Sequence, residues 1–405
     1  MKSILMSAYD VNPYKGSESG TGWNWAIQAS RFNKVKLVTR KNNRFEIERY
    51  ITTENIDVKN IEFHYFDLPY YLRFWKKGAR GSSFYFRLWR LFLPIFIIKN
   101  KISFDIAHSL NFHSDAYPTF LWLFNKPLVW GPICHNEKIP NGYLPIGKDY
   151  FVDRSKWMIK KLIWKIDIFL FLSIRHSDII IASNTSVLKR LKIKNKDKVV
   201  TMSYLGSERI KKIPSKNKSK FQIIAVGRFI SIKSFNLALD AFHSFYKSKN
   251  SIEQKNISLL FVGVGPELKK IKKQSKELGL DGVVKFLGWV NKHEINQYYE
   301  DSSVFLMPSH EGGGMVVIEA LSHSLPVVCF ENYGPGEIVD DKCSIKIKYT
   351  NYYQSINDFS DGLNKIYLDE ELSDKMSINA LKLFNKKYLW EYKGDALKKI
   401  YEKIK

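Results

Sequence analysis

The sequence predicts an α/β protein of two domains, each a parallel sheet with helices packed on it. Two observations predict this. An apolar strand, a glycine turn and a helical pattern follow one another repeatedly, at residues 221–242, 258–271 and 305–323. The 405 residues also exceed a single ordinary core and suggest two domains of roughly 200 residues each. At 45% hydrophobic and 15% aromatic, the chain has enough apolar side chains to fill both.

In chain order, KSILMSAYD runs from Met1 straight into a strand, and no leader is expected before it. The loop NPYKGSESGTGWNWAI (Asn12 to Ile27) follows, with a helix at its end. Gly16, Gly20 and Gly22 allow close backbone approach there, and Glu18 either holds a ligand hydroxyl or caps the helix. The strand FDIAH ends at His108, with His113 in the loop beyond it. Loops at the carboxyl ends of parallel strands build α/β sites, so each histidine either meets a ligand or ties its loop together. The strand KPLVWGPICHNEKIP carries Cys134 and His135 at its end. The lysine-rich, proline-punctuated ERIKKIPSKNKSK (Glu208 to Lys220) is the expected hinge. The domains are therefore placed at 1–205 and 221–385, joined by a linker at 206–220, with a final helix at 386–405.

The second half is more legible. FQIIAVGRFISIKSFNLALDAF (Phe221 to Phe242) reads as a buried strand, a turn at Gly227 and Arg228, a polar loop with Lys233, and an amphipathic helix. Two cations held near a helix start suit a diphosphate. SLLFVGVGPELKKI (Ser258 to Ile271) repeats the form, but Gly263 and Gly265 lack the third glycine of a dinucleotide fingerprint. KFLGWVNKHEINQYYEDSSVFLMP then gives strand, loop, helix and strand, with Trp289 and Val290 in the loop. In SHEGGGMVVIEALSHSLPVV (Ser309 to Val328), Gly312, Gly313 and Gly314 make a turn that opens a helix. The backbone N–H groups of that turn and of Met315 and Val316 face any anion placed there. Glu311 lies on the turn and Glu319 within the helix, roughly 12 Å apart at about 1.5 Å per residue. That exceeds the roughly 5 to 9.5 Å of paired glycosidase carboxylates, so the two fit separate parts of one elongated ligand.

Pro308-Ser309, Glu311-Gly312 and Gly314, then Glu319-Ala320 and Pro326-Val327-Val328, resemble the Glu-x7-Glu signature of retaining glycosyltransferases of the GT-B fold. The segment from Gly227 to Ser234 resembles that family's donor loop. The chain departs from the usual residues at Gly313, commonly aromatic, and at Ser234 and Ser324, commonly glycine. The resemblance implies two Rossmann-like domains facing a central cleft, with the last helix crossing back to the first. It implies that Glu311 meets the donor hexose, Glu319 the ribose, and Arg228 and Lys233 the departing diphosphate. Gly16 and the loop at Trp289 and Val290 would complete the donor site, although a core tryptophan is an equal alternative at Trp289. His113 would be catalytic, and Glu18, His108 and His135 would lie toward the acceptor.

Lys and Arg total 64 against 40 acidic residues, a net charge of +24, which favours an anionic partner. No nucleic-acid-binding module is recognisable. Residues 68–104 contain no acidic residue and mix Arg73, Lys76, Lys77, Arg80, Arg87 and Arg90 with Trp75, Phe84, Phe86 and Trp89. They are expected to bind an anionic membrane surface, with the rings inserted. A second such run, Ser155 to Arg175, is either interfacial or packed with snorkelling lysines. Neither run reaches the ~20 apolar residues of a membrane span. Three cysteines without CxxC or zinc spacing suit a reducing compartment, and Asp-x-Asp is absent, so no metal is expected.

Taken with these features, the resemblance implies a metal-independent retaining hexosyltransferase without cofactor. It would be cytoplasmic, peripheral on the inner face of the plasma membrane, and would act in bacterial surface polysaccharide assembly. Its partners would be a nucleotide diphosphate sugar and a lipid-linked or glycan acceptor. The alternatives are a nucleotide-sugar 2-epimerase or phosphorylase on the same fold, or a non-catalytic membrane scaffold.

Overall fold

Seven strands run in parallel, and the four central ones are buried along nearly their whole length, as a parallel sheet covered on both faces requires. The seven are β1 (Ser3–Ser7), β2 (Lys34–Thr39), β3 (Ile61–Tyr65), β4 (Ile106–Ser109), β5 (Leu128–Ile133), β6 (Ile179–Ala182) and β7 (Val199–Thr201), in the order β3-β2-β1-β4-β5-β6-β7. The computed structural model describes residues 1–78, 80–110, 114–209 and 220–404, and within these the side chains of 17, 18, 292 and 293 are not described. This first unit comprises Met1–His135, Met158–Gly206 and Trp390–Lys405. Register follows from burial: Leu5 opposes Lys36 on one side and Ala107 on the other, with Leu5 and Ala107 in one core cluster.

The largest core side chains here are Trp25, Trp89 and Trp130. Trp25 donates Nε1–H to the Tyr204 carbonyl at 3.0 Å, and Trp89 donates to the Phe66 carbonyl at 2.8 Å. Trp25 and Trp89 therefore bury their apolar bodies without losing a hydrogen bond. Trp89 was expected to insert into a membrane; it is core instead. Phe86 and Trp75 are half-buried, packed on Tyr9 and Tyr85. Of the four rings proposed for insertion, only Phe84 is exposed.

The last helix, Trp390–Lys403, belongs to this first unit and begins four residues later than the expected 386. It lies against the helix Ser17–Ser30, where Arg31 donates to the Glu391 carbonyl at 3.0 Å. Lys2 fixes its end by donating to the carbonyls of Tyr401 and Ile404 at 2.6 and 2.8 Å. A lysine at a helix C-terminus satisfies carbonyls that have no partner within the helix.

The second unit comprises Asn136–Trp157 and Ser207–Leu389. Its strands are β8 (Phe221–Val226), β9 (Ile257–Val262), β10 (Val284–Gly288), β11 (Val304–Met307), β12 (Val327–Phe330) and β13 (Ser344–Ile347). All are parallel, in the order β10-β9-β8-β11-β12-β13. Residues 136–157, expected in the first domain, pack here because Ile139, Tyr143 and Leu144 enter this unit's core. The Tyr143 hydroxyl pairs with Ser355 Oγ at 2.6 Å, which leaves no polar atom stranded. Most of the expected linker, 210–219, lies outside the described residues.

Candidate functional site

The site residues of the second unit gather at the carboxyl ends of β8 and β11. Strand β8 ends at Val226, and the chain turns through Gly227, Arg228 and a short 3-10 segment, Ser231–Lys233, into the helix Phe235–Lys247. Ser234 joins them with φ +49°, the left-handed conformation that glycine accepts most easily. Ser324, after the helix Met315–Ser322, has φ +58°. The two positions where glycine is usual thus require that conformation here as well.

The turn brings Lys233 onto Glu311: Nζ lies 2.6 Å from Oε1, with side chains 11% and 20% exposed. An ion pair this close and this sheltered from water is held far more firmly than a surface pair. Beneath it, Asn332 donates to the Ser309 carbonyl at 2.8 Å and accepts from the N–H of Gly334 and Gly336 at 3.1 and 3.2 Å. Arg228 is exposed, and its guanidinium makes no polar contact to any described residue. The turn therefore presents a cation paired with a carboxylate, Lys233, and an exposed cation five residues before it, Arg228.

Gly314 is the N-cap of the helix Met315–Ser322, and no described side chain caps it. The first-turn N–H groups of Met315 and Val316 therefore remain open to an anion, with the positive end of the helix dipole behind them. Gly312, expected to offer its N–H in the same way, donates it to Asn136 Oδ1 at 2.6 Å. Asn136 was not singled out from the sequence; no local pattern links it to a glycine 176 residues away.

Four residues along the helix, Glu319 accepts from the Tyr299 hydroxyl through Oε2 at 3.1 Å. Burial first, and the Glu319 charge second, push Tyr299 well above its ordinary value, so it stays a neutral donor. His323 donates its Nδ1–H to the Glu319 carbonyl at 2.9 Å and stacks on Tyr299 at 5.1 Å. Glu319 is thereby oriented rather than solvated. Trp289 is 75% exposed, which removes the core alternative and leaves its indole face open; Val290 beside it is half-buried.

In the first unit the placements differ. His113 lies outside the described residues, as does the Glu18 side chain. Gly16 is exposed, with nothing within 4 Å of where a Cβ would stand. His108, expected toward the acceptor, is buried with both ring nitrogens engaged, Nδ1 to the Tyr401 hydroxyl at 2.6 Å and Nε2 to the Gly131 carbonyl at 2.9 Å. It ties β4 to the last helix, and the expectation of acceptor contact is corrected. His135 is also fully buried, with Nδ1 2.8 Å from Asp115 Oδ2, and does not reach the surface where an acceptor would sit.

Two buried histidines make stability sensitive to acid. Burial pulls His310 from 6.5 down to about 3, and His108 from 6.5 down to about 4. In the unfolded chain both take a proton near pH 6.5; in the fold they do so only below these lower values. Their contribution is fully present above pH 6.5 and is lost as pH falls, by about 1.4 kcal/mol per pH unit for each histidine. Denaturant midpoints should therefore drop between pH 7 and pH 5. His310 keeps Nε2 without a partner, so His310→Phe should flatten the slope of the second unit.

Residues 206–383 match the family model described as glycosyl transferases group 1. An uncharacterized glycosyltransferase of Haemophilus influenzae is 30% identical over 176 residues, covering 42% of this chain and 48% of that protein. The amylovoran biosynthesis glycosyltransferase AmsD of Erwinia amylovora is 32% identical over 153 residues, 37% of this chain and 40% of AmsD. The chain thus spans under half the length of these two relatives. Among solved structures, HepE of Anabaena in complex with UDP aligns over 99% of this chain and 100% of its own, with a TM-score of 0.65 and 14% identity. The fold is therefore that of HepE, two parallel α/β sheets of the GT-B type. Residues 206–383 of this chain are thus similar to the glycosyl transferases group 1 family, and the chain carries a GT-B fold.

Proposed function

We propose that this protein is a retaining glycosyltransferase that moves a hexose from a nucleotide diphosphate sugar to a hydroxyl of a lipid-linked or glycan acceptor in surface polysaccharide assembly. The observation that carries this reading is the Lys233–Glu311 pair standing in the same unit as an uncapped helix start and an oriented Glu319. That set offers a cation and N–H groups to a diphosphate, one carboxylate to a hexose and another to a ribose. UDP held by HepE supports a nucleoside diphosphate donor, and amylovoran biosynthesis by AmsD supports a polysaccharide product.

In this reading Arg228 and Lys233 neutralise charge that grows on the departing diphosphate. Glu311 and the backbone of residues 313–316 position the hexose. The acceptor hydroxyl attacks the face from which the diphosphate leaves, which passes its proton to the leaving phosphate oxygen and retains configuration. Charge neutralisation by two side chains replaces a metal, so turnover should persist in excess EDTA. An anionic membrane surface is the expected place of action, given the net charge of +24.

Glu319→Ala tests the donor site. Losing hydrogen bonds to a charged group should weaken nucleotide-sugar binding by about 1 to 3 kcal/mol, read by titration calorimetry on the folded variant. Unchanged affinity would remove Glu319 from the ribose.

A further inference from the structure

We propose that the first unit docks on an anionic lipid bilayer through an exposed apolar face at residues 158–171, rather than through the rings of the acid-free stretch. The proposal rests on the membrane partner in the functional reading above and assigns it a surface.

The helix Lys148–Ile166 buries none of its residues. At roughly 100° per residue, Met158, Ile159, Leu162 and Ile166 fall on a single stripe. Lys161 and Lys165 run along one edge of it, and Lys160 lies beyond the other. The next helix, Ile168–His176, continues the outward apolar side chains with Ile168 and Phe171. These six apolar side chains are 57% to 69% exposed. Single exposed leucines are ordinary on a protein surface; six large apolar side chains within fourteen residues form a patch that calls for a partner.

The charges choose the partner. From Met158 to Arg175 the cations are Lys160, Lys161, Lys165 and Arg175, against a single acid, Asp167. Asp167 is turned inward: its side chain is 5% exposed, caps the helix at the Phe169 and Leu170 N–H groups, and pairs with Arg87. No exposed acid in this run therefore opposes a lipid phosphate. The Arg87 pair also joins this region to the helix Ser82–Lys99, whose Phe84, Ile95 and Ile98 are exposed in their turn. A second copy of the chain is a poorer occupant, because self-docking on this face would bring like-charged lysine rows together. Among the described residues no helix is long and apolar enough to cross a membrane. An apolar stripe bordered by lysines that can snorkel suits a helix lying in the plane of the headgroups.

Co-sedimentation of the full chain with vesicles tests this. The wild type should bind vesicles of phosphatidylglycerol and phosphatidylcholine, bind pure phosphatidylcholine poorly, and be released by high salt. Leu162→Ser with Ile166→Ser, both at exposed positions that do not hold the fold together, should lower the partition by on the order of tenfold. Lys161→Glu with Lys165→Glu should do the same on anionic vesicles. Nucleotide-sugar affinity in solution should stay at the wild-type value in all of these variants. Undiminished vesicle binding by the serine variant would overturn the proposal. So would a concentration-dependent dimer that this variant dissolves while the wild type ignores vesicles. Absence of donor binding in the wild type would instead sink the glycosyltransferase reading and leave the docking result standing.

Discussion

Replacing Lys233 by alanine should lower kcat by on the order of a hundredfold to a thousandfold while changing donor affinity by less than about tenfold. The asymmetry follows from when the charge appears. In the bound donor the diphosphate charge is shared with the sugar bond; as that bond breaks, the full charge collects on the phosphate, and a cation fixed nearby gains most at that moment. Lys233 is fixed, because its ammonium sits 2.6 Å from Glu311 Oε1 and its side chain is 11% exposed. Its loss also leaves Glu311 without that partner, so the carboxylate expected to hold the hexose loses its orientation. Lys233→Arg should restore little, since a planar fork does not fit the point contact that the ammonium makes. Arg228→Ala should lower kcat in the same direction but less, because its guanidinium is exposed and water screens its charge more than that of the sheltered Lys233. Steady-state kinetics with separate donor titrations check each of these values. Equal loss of affinity and turnover would place Lys233 in ground-state binding instead.

Gly334→Ala should destabilise the second unit by about 3 kcal/mol, near the upper range for overpacking. A Cβ at Gly334 would stand 1.8 Å from the Glu311 carbonyl oxygen and 2.8 Å from its carbon. Both are backbone atoms, so no side chain can swing aside to relieve the contact. Relief would have to shift the Glu311 backbone, and donor binding should fall with stability. Gly16→Ala is the control: φ −76° and open space around the Cβ position predict little change. Thermal unfolding of the two variants beside the wild type measures the difference. A Gly334→Ala protein as stable as the wild type would contradict the packing around Glu311.

The second unit was legible in the sequence because its chemistry is local. Arg228 and Lys233 follow the strand that positions them, and Glu311, the glycine turn and Glu319 occupy nine consecutive residues, so spacing alone carries the arrangement. What escaped was long-range. Asn136 meets Gly312 across 176 residues, and Tyr143 carries its segment into a core formed mostly after Phe221. Histidines at strand ends read alike, yet His108 is consumed by Tyr401, which lies 293 residues away. The acid-free stretch was legible only in part: alternating rings and cations do not say which rings face inward, and burial places Trp89 in the core while Phe84, Ile95 and Ile98 stay exposed. Trp289 shows the converse, an aromatic in an apolar context that the fold leaves 75% exposed.

Product analysis is the measurement that bears on the whole reading. The protein is incubated with UDP-hexoses and other nucleotide sugars, together with a lipid-linked glycan acceptor fraction and EDTA. Nucleoside diphosphate should be released in step with sugar incorporated into the acceptor, and the anomeric proton of the product should show the donor's configuration by NMR. A free epimerised sugar, a sugar phosphate formed only with added phosphate, or no consumption of any nucleotide sugar would contradict it.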